Sequence, residues 1–194
     1  MTLRTAKLTW NPINPFKNAE ISISEGEVEP CVQLGQKVEN KSMLLTWLKC
    51  VEALPFDDIV SLVVDAPCDA GAWDNNLGHC GTVPRLILPN EQASLGFLKY
   101  LIATTEAGKG RRSGADTPFK SLEELTLHGV QYDRDLKSKV QAALTARNKR
   151  GFKLRKLTLQ DCSVSAGSIK QLSTVVDVVE QHGEMKKGKQ GNRV

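Results

Sequence analysis

The chain has 194 residues, 40% hydrophobic, 25% charged and 5% aromatic, the range of an ordinary globular domain and too apolar for wholesale disorder. Its net charge of +4 is mostly local: Gly183 to Val194 sets Lys186, Lys187, Lys189 and Arg193 against Glu184, a surplus of +3 that leaves about +1 for the rest. The pI of 8.8 therefore reports a basic tail rather than a basic folded face, which argues against nucleic acid as the main partner. No apolar run approaches the ~18 residues that span a bilayer, so no membrane segment is expected. Met1 to Trp10 lacks an apolar signal core, which predicts a cytoplasmic or nuclear protein with reduced thiols. The five cysteines, Cys31, Cys50, Cys68, Cys80 and Cys162, are scattered singly and form no disulfide framework.

In chain order, a loose strand frame at Leu8-x-Trp10-x-x-Ile13 opens the sequence. Residues 11–40, with Pro12, Pro15 and Pro30, read as a loop or an edge hairpin through Ile21 and Ile23. Ser42 precedes a helix using Leu44, Leu45, Leu48 and Val51 before Pro55. Ile59 to Val64 reads as a strand, Trp73 to His79 as a short helix and Val83 to Leu88 as a strand. Asn90 opens a helix with a stripe of Leu95, Leu98, Leu101 and Ile102 that Gly108 ends, and 106–118 reads as an inserted loop. Leu125 and Leu127 mark a strand. Asp133 caps a helix with Leu136, Val140, Ala143 and Leu144 on one face, and Gly151 stops it. Leu157 and Leu159 mark another strand. Ser165 or Ser168 opens a last helix, with Ile169, Leu172, Val175, Val176 and Val179 on one face and Gly183 at its end. Three regions follow: 1–58 as a lead-in of strand, loop and helix, 59–182 as repeated strand and helix units, and 183–194 as a disordered tail.

The repeat is the strongest signal. Leu122-x-x-Leu125-x-Leu127-x-x-Val130 recurs as Leu154-x-x-Leu157-x-Leu159-x-x-Cys162, a step of 32 residues. The same frame fits Ile59-x-x-Leu62-x-Val64 and Val83-x-x-Leu86-x-Leu88. Each such strand has one apolar face that a single unit leaves uncovered and that stacked neighbours bury. The expected fold is thus α/β, a short irregular leucine-rich-repeat solenoid with parallel strands on one face and helices on the other. A doubly wound sheet is the alternative.

From PFKSLEELTLHGVQYD through LTARNKRGFKLRKLTLQDC to the segment ending VVDVVE, the sequence resembles the C-terminal leucine-rich-repeat region of fungal F-box proteins. The resemblance covers about residues 59–180 and is strongest over 117–164. It implies a substrate-recruiting arm of a ubiquitin ligase, with the repeats holding an unknown client protein. The F-box itself is not found in this chain: its only echo is Ala53-Leu54-Pro55-Phe56. Skp adaptor and cullin are therefore expected as partners only if a longer product supplies the F-box.

Strand alternation puts Glu124, Thr126, His128, Lys156, Thr158 and Gln160 on the face opposite the leucines, and these are the candidate protein-binding residues. Arg147, Lys149, Arg150, Lys153 and Arg155 form a candidate basic rim, extended by Lys156. Used for nucleic acid or as a scaffold contact, that cluster is the alternative function, and an unrecognised α/β enzyme is a further one. Catalytic, cofactor and metal sites are not expected. There is no Gly-x-Ser-x-Gly elbow, the adjacent carboxylate pairs Asp57-Asp58 and Glu123-Glu124 diverge, and Gly108 to Gly114 has the wrong spacing for a phosphate loop. Cys68, His79, Cys80 and His128 lack the paired spacing of structural zinc. Cys162 reads as core, and Ser113 after Arg111 and Arg112 as a phosphorylation candidate.

Overall fold

The computed structural model describes residues 4–9, 20–25, 59–65, 68–77, 81–107 and 119–183. The expected helix after Ser42, the segment 108–118 and the tail after Gly183 lie outside them, as do His79 and Cys80. Among the described residues, seven strands form one open sheet: β1 (Arg4–Thr9), β2 (Glu20–Glu25), β3 (Ile59–Asp65), β4 (Arg85–Leu88), β5 (Glu124–His128), β6 (Lys156–Gln160) and β7 (Val178–His182). Their spatial order is β2-β1-β3-β4-β5-β6-β7, with every pair parallel except the antiparallel β1–β2 edge. The expected edge hairpin through Ile21 and Ile23 is thus present as β2.

The leucine frame sets the register. Leu62 pairs with Leu86, Leu86 with Leu125, Leu125 with Leu157 and Leu157 with Val179. The loose first frame is displaced: Ala6, not Leu8, stands opposite Leu62, and Leu8 pairs with Val64. Leu62, Leu86, Leu125 and Leu157 are buried, as are the frame's leading residues Ile59, Val83, Leu122 and Leu154. Two or three side chains per strand therefore build a continuous core under the helices.

Among the described residues, four helical segments cover that face. α1 (Ala70–Ala72) runs into a π turn at Trp73–Leu77; α2 is Glu91–Ala107, α3 Arg134–Lys149 and α4 Ala166–Leu172. Successive helices contact one another, which sets them side by side. Their starts follow the sequence signals. Asn90 Oδ1 accepts from the Ala93 N–H at 2.8 Å, Asp133 Oδ1 from Leu136 at 2.7 Å and Ser165 Oγ from Ser168 at 3.2 Å. Asn90 also donates through Nδ2 to Asp65 Oδ1 at 2.9 Å, tying the start of α2 to the end of β3. Gly151, at φ +85°, ends α3.

The helix expected from Ser165 to Gly183 stops at Leu172 instead. Thr174, Val175, Val176, Val178 and Val179 are β-branched and lose side-chain freedom in a helix. The hydroxyls of Ser173 and Thr174 bond back to the carbonyls of Ile169 and Gln171, closing the last turn. The chain then pairs with β6 as a seventh strand. The segment read as helix thus carries a further copy of the frame, Val176-x-x-Val179, with Val176 buried as Leu154 and Leu122 are.

The last three strands also end alike. Gly129, Asp161 and Gly183 follow β5, β6 and β7 directly, and all three have positive φ, +70°, +50° and +69°. Gly129 N–H donates to Gln160 O and Asp161 N–H to His182 O, so the turns are stitched to one another beyond the strands. Before the strands, Pro84 O accepts from Glu123 and Glu124, and Glu123 O from Arg155 and Lys156. The sequence repeat is thereby matched by a repeat of backbone hydrogen bonds.

Candidate protein-binding face

Opposite the leucines, the sheet carries three cross-strand rows. Register places Ser61, Arg85, Glu124, Lys156 and Val178 in the first. Val63, Ile87, Thr126, Thr158 and Glu180 form the second, and His128, Gln160 and His182 the third. All six candidate residues, Glu124, Thr126, His128, Lys156, Thr158 and Gln160, lie on this face as strand alternation required. Among the described residues no helix covers it. Thr158 is only 9% exposed, whereas its row neighbour Thr126 is half-buried and the flanking Gln160 partly open.

Charges on the face are paired along the sheet. Arg85 Nε lies 2.7 Å from Glu124 Oε2, and Lys156 Nζ lies 2.9 Å from Glu180 Oε1. The hydrogen bond from Arg85 holds the Glu124 carboxyl below its ordinary range against a smaller opposing effect of burial. The bond from Lys156 does the same for Glu180. Sign alternates from strand to strand, so the face presents hydroxyls, amides and short aliphatic groups inside a self-neutralised frame. Such pairs, being half-exposed, add little stability and mainly fix side-chain positions.

His128 ends β5, with Nε2 3.1 Å from Asp161 Oδ2 in the turn after β6. The carboxylate sits there because Asp161 adopts a positive φ, and a Cβ on Gly183 would fall 2.2 Å from its Oδ1. The pair therefore holds neighbouring turns together. Grooves of about 350 and 380 Å³ lie elsewhere, along α3, lined by Ser138, Ala142, Ala146 and their neighbours. Neither reaches His128.

The five-residue basic rim does not stay together. Arg147 is 3% exposed, because it continues the α3 stripe of Val140, Ala143 and Leu144 at helical spacing. Its Nη2 donates to Phe119 O at 2.9 Å and Leu122 O at 3.5 Å, and burial lowers its pKa to about 10. That 3- and 4-residue spacing was the sequence signal that marks it as interior. Lys153 is paired with Asp177, and Arg155 lies 3.4 Å from Glu123. Lys149 and Arg150 remain exposed at the end of α3.

Cys162 is fully buried, as expected. Its Sγ accepts from Val130 N–H at 3.4 Å and lies 3.3 Å from Gln160 O, and burial raises its pKa. Cys68 is likewise buried and pushed up to about 12 by desolvation. Neither thiol is poised as a nucleophile or ligand, and the described residues contain no cluster of three metal-ligating side chains.

The fold and face together define an α/β protein with an open, mainly parallel sheet and, among the described residues, helices packed on one side of it. No helix among the described residues is long and apolar enough to cross a membrane. In comparisons with known proteins, no family model, no curated protein and no solved structure matches the chain.

Proposed function

We propose that the chain is a protein-binding module, a short leucine-rich-repeat-like solenoid that holds a client on the sheet face opposite its described helices. The observation that carries this reading is the second row of that face, Val63, Ile87, Thr126 and Thr158, set in register across four adjacent strands between rows of paired or neutral polar groups. Short, stiff side chains on a twisted sheet cost little entropy to cover, and the neutralised frame removes the desolvation penalty of isolated charges. The solenoid reading is supported by the sequential order of the parallel strands from β3 to β7, the recurrent leucine frame and the repeated positive-φ turn. A doubly wound sheet would instead reverse its order with parallel strands and place helices on both faces, whereas the reversal at β1 here is made by the antiparallel β2.

By resemblance, the client-holding role is that of the substrate arm of an F-box subunit. A tagged chain serves as bait, alongside Thr126→Arg with Gln160→Arg, two positions open enough to take the longer side chain. The reading expects the double variant to lose clients while its unfolding midpoint stays the same. Unchanged capture at unchanged stability would overturn it. Skp adaptor recovered with a longer product but not with this chain would support the ubiquitin-ligase role, and its absence from both would remove that role.

A further inference from the structure

We propose that the outer edge of β7 is a pairing site for a second copy of this chain, the two β7 strands running antiparallel about Gln181 and joining two sheets into one. This inference concerns the sheet edge and does not rest on the proposal for the sheet face.

β7 is the terminal strand of the sheet order, and among the described residues no strand pairs with its outer side. Val178 N–H donates to Arg155 O, and His182 O accepts from Asp161 N–H. In a parallel ladder such groups alternate, so Val178, Glu180 and His182 turn theirs toward β6, while Val179 and Gln181 turn theirs outward. Natural edges are blunted by Pro, Lys, bulges or inward charges. Val178–His182 contains no Pro, Lys or Arg, and its register with β6 runs unbroken through five pairs. The exposed large hydrophobic side chain among the described residues, Val178 at 47%, lies on this strand.

Charge selects the partner and the register. Glu180 and His182 are two residues apart on one face, where His182 Nε2 lies 3.4 Å from Glu180 Oε2 of its own chain, so a second copy would exchange this exposed pair for the same pair across the edge rather than supply a missing charge. An antiparallel pairing centred on Gln181 therefore sets Glu180 opposite His182 of the second copy, and does so twice. Gln181 then faces its own counterpart and exchanges both main-chain hydrogen bonds with it. Centring on Glu180 would oppose two carboxylates, and centring on Val179 would set Val178 against Glu180. The Gln181 register is self-complementary, as a closed two-fold pair requires.

The test is sedimentation equilibrium of the full chain from about 1 to about 200 µM, a range in which mass action reveals weak dimers. The expected result is a weight-average mass rising from 21.3 kDa toward twice that value and no further. Gln181→Pro removes an outward N–H that the monomer's sheet does not use, so the variant is expected to fold and remain a monomer. His182→Glu puts like charges opposite each other twice and is expected to weaken pairing by about tenfold or more; it keeps the test decisive if the proline variant does not fold. A wild-type chain that is monomeric throughout, a mass that climbs past two copies, or variants that associate as wild type does would each overturn the proposal.

Discussion

Gly96 sits in the interior of α2, where an alanine would ordinarily favour the helix by about 1 kcal/mol. Here a Cβ would fall 1.8 Å from Cys68 O, a backbone atom that cannot swing away. The clash outweighs the propensity, so Gly96→Ala is expected to destabilise by about 1–3 kcal/mol, read as a lower urea midpoint. The helix needs this approach because Trp73 and Phe97, at 5.0 Å between ring centroids, and Phe119, 5.5 Å from Phe97, pack in the same space. Cys68 beside it gives a pH prediction. Its thiol ionises near 9.0 when unfolded and near about 12 when buried. Above the first value the unfolded chain has lost a proton that the folded chain keeps, so this contribution is intact below it and falls as pH rises toward the second, by about 1.4 kcal/mol per unit at most. The raised Tyr132 and Cys162 act in the same sense. Cys68→Ala should make the alkaline decline of stability shallower, and an unchanged slope in urea melts across that window would contradict the assignment.

At the scale of elements, the caps were legible because each needs only one side chain at one position. Asp133 and Ser165 both accept the backbone N–H three residues on. Asp133→Ala should therefore cost about 1 kcal/mol, measurable in the same urea melts, and Asp133→Ser should restore most of it. The strand positions of Leu62, Leu86, Leu125 and Leu157 were legible for a similar reason, since period-two alternation is local. What local pattern misassigned was β7, read as the end of the last helix. A run with apolar residues at 172, 175, 176 and 179 satisfies helical spacing as well as it satisfies the strand frame, and the free edge of β6 decides in favour of the strand. Arg147 shows the same limit from the other side: charge type suggested a surface rim, while its place in the stripe took it to the interior, where two carbonyls receive its guanidinium.

For the whole molecule, one periodic sequence feature organises both sheet faces. Leucines in register build the core beneath the helices, so Leu127→Ala, at a fully buried position, should cost about 2–5 kcal/mol and broaden or lower the thermal transition. The same alternation delivers Thr126, His128, Lys156 and Gln160 together to the uncovered face, which is why those positions were legible in the sequence. Arg85 and Glu180, the ion-pair partners of Glu124 and Lys156, were not, because pairing across strands depends on register between distant segments. The central claim, that a client is held on that face, is tested most directly by covalent labelling of lysine and histidine side chains with and without a captured client. Lys156 and His128 should lose reactivity when the client binds, while Lys149 at the end of α3 keeps its own. Protection of Lys149 with Lys156 and His128 left reactive would place the client on the helices and contradict the account.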